Sequence, residues 1–259
     1  MIVYPSVLPA NGMAFNFISD NTFDSHHDIV LSVEYSISGH ANTEAGISFF
    51  VTDSSTFTGG VSGADLTYSG YYDGTSQGIQ PALVGIGIDS TGVFGLSASG
   101  RDGFDESEVI ANSYAVRAGT AEGYALSTFG NIYHAISSFN VVDSTDDSHI
   151  LRFRVGNVSR ALYLDYKANA SEVFTNIATV DIGTHLDPQP QEIIPLRVGM
   201  GFTTPVSSNN SSSVAEFLFK TIHIEGLDAY SGDGGLYTYE GALVYTSDGN
   251  IVYPAITIN

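Results

Sequence analysis

The amino-acid sequence predicts an all-β protein built as an antiparallel sandwich. Apolar and polar residues alternate with a period of two through many short segments, which is typical of strands that bury one face. Clusters of Gly, Ser, Asn and Asp separate these segments and indicate frequent turns. No segment combines a helix cap with apolar residues at a 3.6-residue spacing, and only residues 169–177 leave room for one helical turn. Many short strands between frequent turns favour two packed sheets.

The clearest strand signals lie in the first half of the chain. Residues 29–37 alternate so that Leu31, Val33, Tyr35 and Ile37 share one face. Residues 82–88 are almost continuously apolar, as expected for a central strand that is covered on both faces. Further strands are predicted at 93–97, 113–117, 150–155, 161–166, 195–201 and 215–225. The segments 152–155 and 161–166 are predicted to pair as a hairpin across 156–160.

The two ends of the chain differ from its middle. Residues 1–27 carry two prolines and a mixed pattern, so we expect an N-terminal arm before the sandwich at 28–226. Residues 227–259 have tyrosines at alternating positions and a predicted hairpin that turns at 247–250. The tetrapeptide Ile-Val-Tyr-Pro occurs at 2–5 and again at 251–254. We expect the C-terminal extension, together with the N-terminus, to form an assembly or docking edge. The alternative is that the tetrapeptide recurs by coincidence in two edge strands.

The charge balance excludes several classes of partner. Eight Lys and Arg residues stand against 28 Asp and Glu residues, which gives a formal net charge of −20. Binding to nucleic acid or to an anionic membrane requires basic groups that neutralise phosphates, so we expect neither. The chain has no cysteine, which excludes disulfides and thiolate metal sites. The first nine residues lack the basic and apolar regions of a signal peptide, and no apolar run reaches the roughly 18 residues of a membrane span.

Four segments together resemble L-type (legume-like) lectin domains. They are Ala45–Asp53 with the loop that follows it, Ala82–Gly92, Pro195–Phe202 and Val214–Glu225. The resemblance implies a concanavalin A-like β-sandwich, or jelly roll, over residues 28–226, with a C-terminal β-hairpin extension. Similar modules occur in structural proteins of tailed phages, and the length, the acidity and the lack of cysteine agree with that setting.

The resemblance also implies where metal would bind. The family holds calcium and a transition metal on a strand that carries a Glu two residues before an Asp. If Asp89 matches that Asp, the Glu position holds Gly87, and residues 92 and 93 offer no side-chain oxygen. We therefore expect no dinuclear metal site and no required cofactor. Two interpretations of Asp89 stay open: it caps the turn that follows it, or it binds a lone calcium with Asp102 or Asp105.

The sugar pocket of the family uses a backbone amide from a Gly-Gly loop, and Gly59 and Gly60 match that loop. Glycine suits this task because a ligand can approach the backbone closely. The chain has no Trp for stacking on a sugar, but Tyr68, Tyr71 and Tyr72 follow the loop. A phenol combines an apolar face with a polar tip, so these five residues are the candidate carbohydrate site. Burial of the tyrosines at subunit contacts is the alternative.

Catalytic motifs are lacking from the sequence. Glycoside hydrolases that share the sandwich need two carboxylates in one cleft. The best local candidates, Glu106 and Glu108, follow Arg-Asp-Gly-Phe in an apparent loop, which indicates a solvated acidic turn. Residues 26–28 and 143–149 are interpreted as a surface turn and a charged loop. No nucleophile elbow, P-loop or zinc-binding helix occurs, so we predict that the protein is not an enzyme.

The sequence thus favours a structural protein of a tailed-phage virion, extracellular after host lysis. We expect it on a tail, fibre, baseplate or capsid surface, as a homo-oligomer among other virion proteins, where it serves assembly or attachment to a host-surface glycan. A free-standing, metal-poor lectin is the first alternative, and a glycoside hydrolase of the same fold is the second.

Overall fold

Two antiparallel sheets pack face to face in the computed structural model of the protein, as the sequence predicts. The structure describes residues 2–5, 12–19, 22–24, 28–38, 46–53, 66–69, 78–97, 102–140, 149–156, 159–183, 195–205, 216–227, 236–240, 244–245 and 251–252. Within these ranges the helices are 3₁₀ turns of three residues: Val93–Gly95, Glu106–Glu108, Thr120–Glu122 and Ser127–Phe129. No helix among the described residues has the length and apolarity needed to cross a membrane.

The larger sheet contains eight strands, numbered with the others in chain order. They are β1 (Ile2–Pro5), β2 (Gly12–Ile18), β3 (Phe23–Asp24), β5 (Gly46–Thr52), β6 (Val84–Asp89), β7 (Ser113–Ala118), β8 (Tyr133–Ala135) and β12 (Pro195–Pro205). Their order across the sheet is β1-β2-β12-β5-β6-β7-β8, and β3 pairs with the start of β12.

The smaller sheet contains six strands: β4 (Asp28–Ser38), β9 (His149–Gly156), β10 (Ala161–Lys167), β11 (Thr175–Asp181), β13 (Glu216–Leu227) and β14 (Leu236–Glu240). Their order is β11-β10-β9-β4-β13-β14. A separate pair, β15 (Val244–Tyr245) and β16 (Ile251–Val252), encloses the turn predicted at 247–250. The predicted hairpin of β9 and β10 is confirmed, with Ala161 opposite Gly156.

Two predicted elements differ from the structure. Residues 93–97 are not a strand, because Gly92 adopts a φ of 83° and turns the chain into the 3₁₀ turn Val93–Gly95. Residues 169–177 do not form the predicted helical turn. Asn169 and Glu172 instead hydrogen-bond to each other in a tight connection, and β11 begins at Thr175.

The predicted N-terminal arm is part of the sandwich. Strand β2 pairs with β12 from Ile18 opposite Gly199 to Gly12 opposite Pro205, and β1 pairs with β2. At the other end, β14 extends the smaller sheet along β13. The sandwich therefore reaches beyond residues 28–226 in both directions. A docking edge formed by the termini stays a prediction.

The two sheets enclose one apolar core. Alternate residues of β6, Val84, Ile86 and Ile88, face the smaller sheet and are at most 1% exposed. The ring of Phe49 on β5 stacks on that of Phe153 on β9, with 5.6 Å between the ring centroids. Leu31, Val33 and Tyr35 of β4 belong to the same core, as their spacing predicts.

The opposite face of the larger sheet, here called the outer face, carries a second apolar layer. Its members come from strands and from the loops that cover them: Ile18, Phe50, Leu66, Tyr68, Ile79, Ala82, Phe94, Leu96, Ala115, Tyr124, Leu126 and Tyr133. Gly85 and Gly87 of β6 lie under this layer. A Cβ atom at Gly85 would lie 2.6 Å from the Tyr68 ring, and one at Gly87 would lie 2.4 Å from the Phe94 ring. The strand is therefore covered on both faces because glycine alternates with branched residues.

The close contact between Gly87 and Phe94 predicts strong coupling between the two positions. Gly87→Ala should lower the free energy of unfolding by about 1–3 kcal/mol through overpacking. Phe94→Ala should lower it by about 3–5 kcal/mol. The double variant should lose at least ~1 kcal/mol less than the two single losses combined, because the new methyl group enters the space vacated by the ring. Urea denaturation measures all three.

The matched control for this cycle is Gly183→Ala combined with Phe94→Ala. Gly183 lies in an open turn, where an added Cβ atom would have no neighbour within 4 Å, so its effect should simply add to that of Phe94. Additive losses for Gly87 and Phe94 would contradict the packing described above.

Candidate functional site

Of the five candidate carbohydrate residues, the structure describes Tyr68, which lies on the outer face of the larger sheet. Loops 54–65 and 70–77, which carry Gly59, Gly60, Tyr71 and Tyr72, fall outside the described residues. The segment between the two loops, residues 66–69, is described and buried; we call it the stem. The structure therefore shows how the two loops are held at their ends.

Polar contacts with the sheet fix the first half of the stem. The Ser48 hydroxyl of β5 donates to the Leu66 carbonyl at 2.8 Å, and the Thr67 hydroxyl donates to Oδ1 of Asn16 on β2. Leu66 and Thr67 have positive φ angles of 48° and 64°. Such angles are unusual for a branched residue, so the surrounding contacts must hold this turn in place.

Further hydrogen bonds hold the ends of the two loops. The Ile79 N–H donates to the Tyr68 carbonyl at 2.9 Å, which brings together the two ends of loop 70–77. Thr52 ends β5 just before loop 54–65 begins, and its hydroxyl donates to the Pro81 carbonyl at 2.7 Å. Leu66 and Ser69 are three residues apart and thus at most about 10 Å from each other. The Gly-Gly loop therefore ends close to the point where the tyrosine loop begins.

Tyr68 is a core residue and has no face free for a sugar. Its side chain is fully buried, with its ring 6.2 Å from Phe50 and 5.6 Å from Tyr124, centroid to centroid. Its hydroxyl donates to the Ala118 carbonyl at 2.9 Å. Burial raises the pKa of the phenol well above its usual value. This corrects the sequence-based role of Tyr68, while the roles of Gly59, Gly60, Tyr71 and Tyr72 stay predictions.

Arg117 of β7 holds the loops beside the stem, and the sequence analysis missed it. Its fully buried guanidinium donates to four backbone carbonyls at 2.6–3.0 Å. The acceptors belong to three different loop segments: Phe94 and Leu96, Asp102, and Tyr124. The cation also lies 5.3 Å from the centroid of the Phe94 ring. A lone Arg in a strand that otherwise alternates small and apolar residues is the only sequence signal of this role.

Asp89 caps a turn with both of its carboxylate oxygens. Oδ1 accepts from the N–H and the hydroxyl of Thr91 at 2.9 and 3.0 Å, and Oδ2 accepts from the Phe94 N–H at 2.8 Å. Burial raises the pKa of this carboxyl, and the N–H donors of Phe94 and Thr91 oppose the rise. The structure thus favours the capping interpretation over the calcium ligand.

The other carboxylates proposed for chemistry do not converge. Asp102 accepts from the Ser127 N–H at 2.8 Å, and Ser127 lowers the pKa of Asp102. Glu106 and Glu108 lie exposed on a 3₁₀ turn, where Glu108 accepts from the Asp105 N–H at 3.1 Å. In the part of the chain that is described, no three His, Cys, Asp or Glu side chains form a group that could hold a metal ion.

One residue assigned to a charged loop belongs to the core instead. His149 is the first residue of β9 and is 4% exposed. Its Nδ1 lies 3.0 Å from the Tyr166 hydroxyl. Strand pairing with β4 and β10 carries His149 into the sandwich, so the loop predicted at 143–149 ends before it.

Replacement of Arg117 should loosen the loops over the outer face. Arg117→Met leaves several buried carbonyls without a donor, so the free energy of unfolding should fall by at least about 3 kcal/mol. Arg117→Lys keeps the charge but offers a single ammonium, and it should recover only part of the loss. Denaturant unfolding gives these energies. Amide exchange should speed up at residues 94–97 and 124 before it does in β9, and uniform exchange across the chain would contradict this role.

The capping role of Asp89 can be separated from a calcium-binding role. Asp89→Asn replaces one acceptor oxygen with a donor that faces an N–H, so the free energy of unfolding should fall by about 1–3 kcal/mol. The fall should be equal in calcium and in chelator, as measured by thermal unfolding. Asp53→Asn, at an exposed carboxylate that is not a candidate calcium ligand, is the control. If calcium stabilises the wild type but not Asp89→Asn, the calcium interpretation is correct after all.

Comparison with known proteins gives matches at the level of structure. No protein-family model and no curated protein matches the chain. The winged bean acidic lectin, solved in complex with methyl-α-D-galactose, superposes with a TM-score of 0.53 at 9% identity, over 83% of this chain and 80% of that one. A seed lectin of Lotus tetragonolobus gives 0.51 at 9% identity, over 90% and 86%. The basic winged bean lectin, solved with Tn-antigen, gives 0.50 at 9% identity, over 86% and 81%.

At such low identity the likeness concerns the fold. Both the sheet arrangement and the coverage of more than four-fifths of this chain in all three comparisons agree with it. The protein is therefore a concanavalin A-like β-sandwich of the kind found in legume lectins.

Proposed function

We propose that this protein binds carbohydrate as a lectin does, through loops 54–65 and 70–77, which flank the stem in the sequence. The observation that carries the proposal is the stem, because its contacts with Ser48 and Asn16 fix the segment at which loop 54–65 ends and loop 70–77 begins. A binding site needs loops that are held at their ends by a rigid scaffold. The second apolar layer provides this support, because Leu66, Tyr68 and Ile79 at the loop ends belong to it.

The chemistry of the loops fits a neutral sugar. Backbone amides at Gly59 and Gly60 supply donors that no side chain obstructs. Tyr71 and Tyr72 supply rings for the apolar face of a sugar and hydroxyls for its polar edge. Two of the structural neighbours were solved with Tn-antigen and with methyl-α-D-galactose, so the same fold accommodates a glycan in those proteins.

A role without catalysis agrees with the carboxylates described above. A glycosidase needs an acid and a second carboxylate on either side of the bond that breaks. Glu106 and Glu108 share one exposed turn, and Glu108 is engaged by the Asp105 N–H. The hydrolase alternative predicts polysaccharide cleavage that disappears in Glu106→Gln.

We further propose that the protein belongs to the surface of a tailed-phage virion. Its acidic surface and lack of cysteine support this setting, together with the resemblance of its strands to phage structural modules. Its partners there are other virion proteins, further copies of the chain and a glycan of the host surface. A free-standing lectin is the alternative. Mass spectrometry of purified virions separates the two, because only a virion protein remains with the particles.

A glycan array tests the binding site directly. The wild type should bind at least one neutral glycan. Tyr71→Ala and Gly60→Asp should each weaken that binding by about tenfold or more, because the first removes a ring and the second blocks approach to the backbone.

Gly183→Asp is the matched control for Gly60→Asp. It adds the same charge at an open turn where φ is +52°, a conformation that Asp tolerates. This variant should bind like the wild type. If no glycan binds with or without calcium, or if Gly183→Asp loses binding as fully as Gly60→Asp does, the proposed site is wrong.

A further inference from the structure

The few cations of this acidic chain are concentrated on one hairpin. Four of the eight Lys and Arg residues fall between Arg152 and Lys167, on β9, β10 and the turn between them. Arg152 and Arg154 are two residues apart on β9, between the buried residues Leu151, Phe153 and Val155. Side chains at alternate positions share a face, so both arginines lie on the face of the smaller sheet that points away from the larger sheet.

A single buried carboxylate positions both guanidinium groups. Asp165 of β10 is 2% exposed, and its Oδ2 accepts from Nε of Arg152 at 3.0 Å and from Nε of Arg154 at 2.8 Å. Its Oδ1 accepts from the amide of Asn176 on β11 at 3.0 Å. The carboxylate cannot rotate without losing these bonds. The arginines are thus held in fixed positions, with side chains 29% and 35% exposed.

Each of the three cations lies near the ring of an aromatic side chain. The Arg152 guanidinium lies 3.8 Å from the centroid of the Phe174 ring, and the Lys167 ammonium lies 4.7 Å from the same centroid. The Arg154 guanidinium lies 4.3 Å from the Tyr163 centroid. A cation near the face of an aromatic ring is attracted by the negative potential of that face. The exposed fraction of each arginine remains open to a ligand.

The three cations form a row. Arg154, Arg152 and Ile150 follow one another along this face of β9, and Lys167 of β10 pairs with Ile150. With about 3.3 Å per residue, the row from Arg154 to Lys167 spans roughly 13 Å. The row contains three positive charges beside the carboxylate of Asp165, and Glu34 of β4, which pairs with Ile150, adds a second carboxylate to the same face. The carboxylate of the adjoining turn, Glu172, is engaged by Asn169.

We infer that this face of the smaller sheet binds a linear anionic polysaccharide whose carboxylate or sulfate groups pair with Arg154, Arg152 and Lys167. A guanidinium group offers two parallel N–H donors that match the oxygens of either anion. A straight row of fixed cations suits a chain with repeated charges better than it suits a single small anion. This site is distinct from the loops proposed above for neutral sugars.

The negative charge of the whole molecule restricts polyanion binding to the row. A net charge of −20 repels polyanions at long range. At about 0.15 M salt the repulsion is screened beyond roughly 8 Å, so only contacts at the row remain to attract a ligand. Binding to an anionic polysaccharide would therefore depend on these residues and not on general charge.

Biolayer interferometry with the full chain tests the inference, with heparin, alginate and neutral dextran as probes at about 0.15 M salt. Heparin supplies sulfates and alginate supplies carboxylates. At least one of them should bind, and dextran should not. Arg154→Gln should weaken binding by about tenfold, because one forked contact is lost while Arg152 still neutralises Asp165.

Two further variants guard against a folding artefact. The triple variant Arg152→Gln/Arg154→Gln/Asp165→Asn removes both arginines together with the buried carboxylate that they share. It leaves no unpaired buried charge at this point, so it should fold but bind neither polyanion. Lys220→Gln lowers the net charge by the same amount as Arg154→Gln and lies on β13, which is separated from β9 by β4. It should bind within about twofold of the wild type.

The inference is overturned if neither polyanion binds, if dextran binds equally well, or if Lys220→Gln loses as much as Arg154→Gln. It is also overturned if the chain instead self-associates in a manner that depends on Arg154, because the row would then be a contact between copies. Binding of neutral glycans through Tyr71 is measured separately, so either site can fail without the other.

Discussion

Alternation of glycine with branched apolar residues along β6 decides how much protein can pack around the central sheet. Val84, Ile86 and Ile88 fill the space between the sheets, while Gly85 and Gly87 leave room for the rings of Tyr68 and Phe94 to lie on the other side. Any side chain at the two glycine positions would lift these rings. The sheet thus becomes the middle layer of three, and the loops over it gain an apolar base.

Polar contacts then give this loop layer a defined position. Apolar contact alone is non-directional, so it would let the loops slide over the sheet. The guanidinium of Arg117 reaches carbonyls in three segments, Asp89 caps the turn before Phe94, and Ser48 holds Leu66. Each of these groups is buried and hydrogen-bonded, as buried polar groups must be. Together they convert a covered sheet into a scaffold with fixed loop ends.

Local pattern predicts most of the fold, and long-range contacts account for what it misses. The strands β6, β9 and β10 could be predicted because the apolar patterns that indicate them are local in the sequence. Tyr68 looked exposed because it follows a loop rich in small polar residues, yet its partner Ala118 is fifty positions away. Arg117 was missed for the same reason, because its acceptors lie up to 23 positions away. The roles of Gly59 and Gly60 rest on resemblance to a family, and no local pattern could supply them.

The stem has a consequence for how such a protein can change over generations. Its hydrogen bonds run from residues 66–69 to the strands, and from Ile79 and Thr52 across the bases of the two loops. These bonds are made by residues outside the intervening loops. Loop sequences are therefore free to diversify while folding is preserved. A lineage could therefore change residues at the loop tips with the sandwich inherited unaltered.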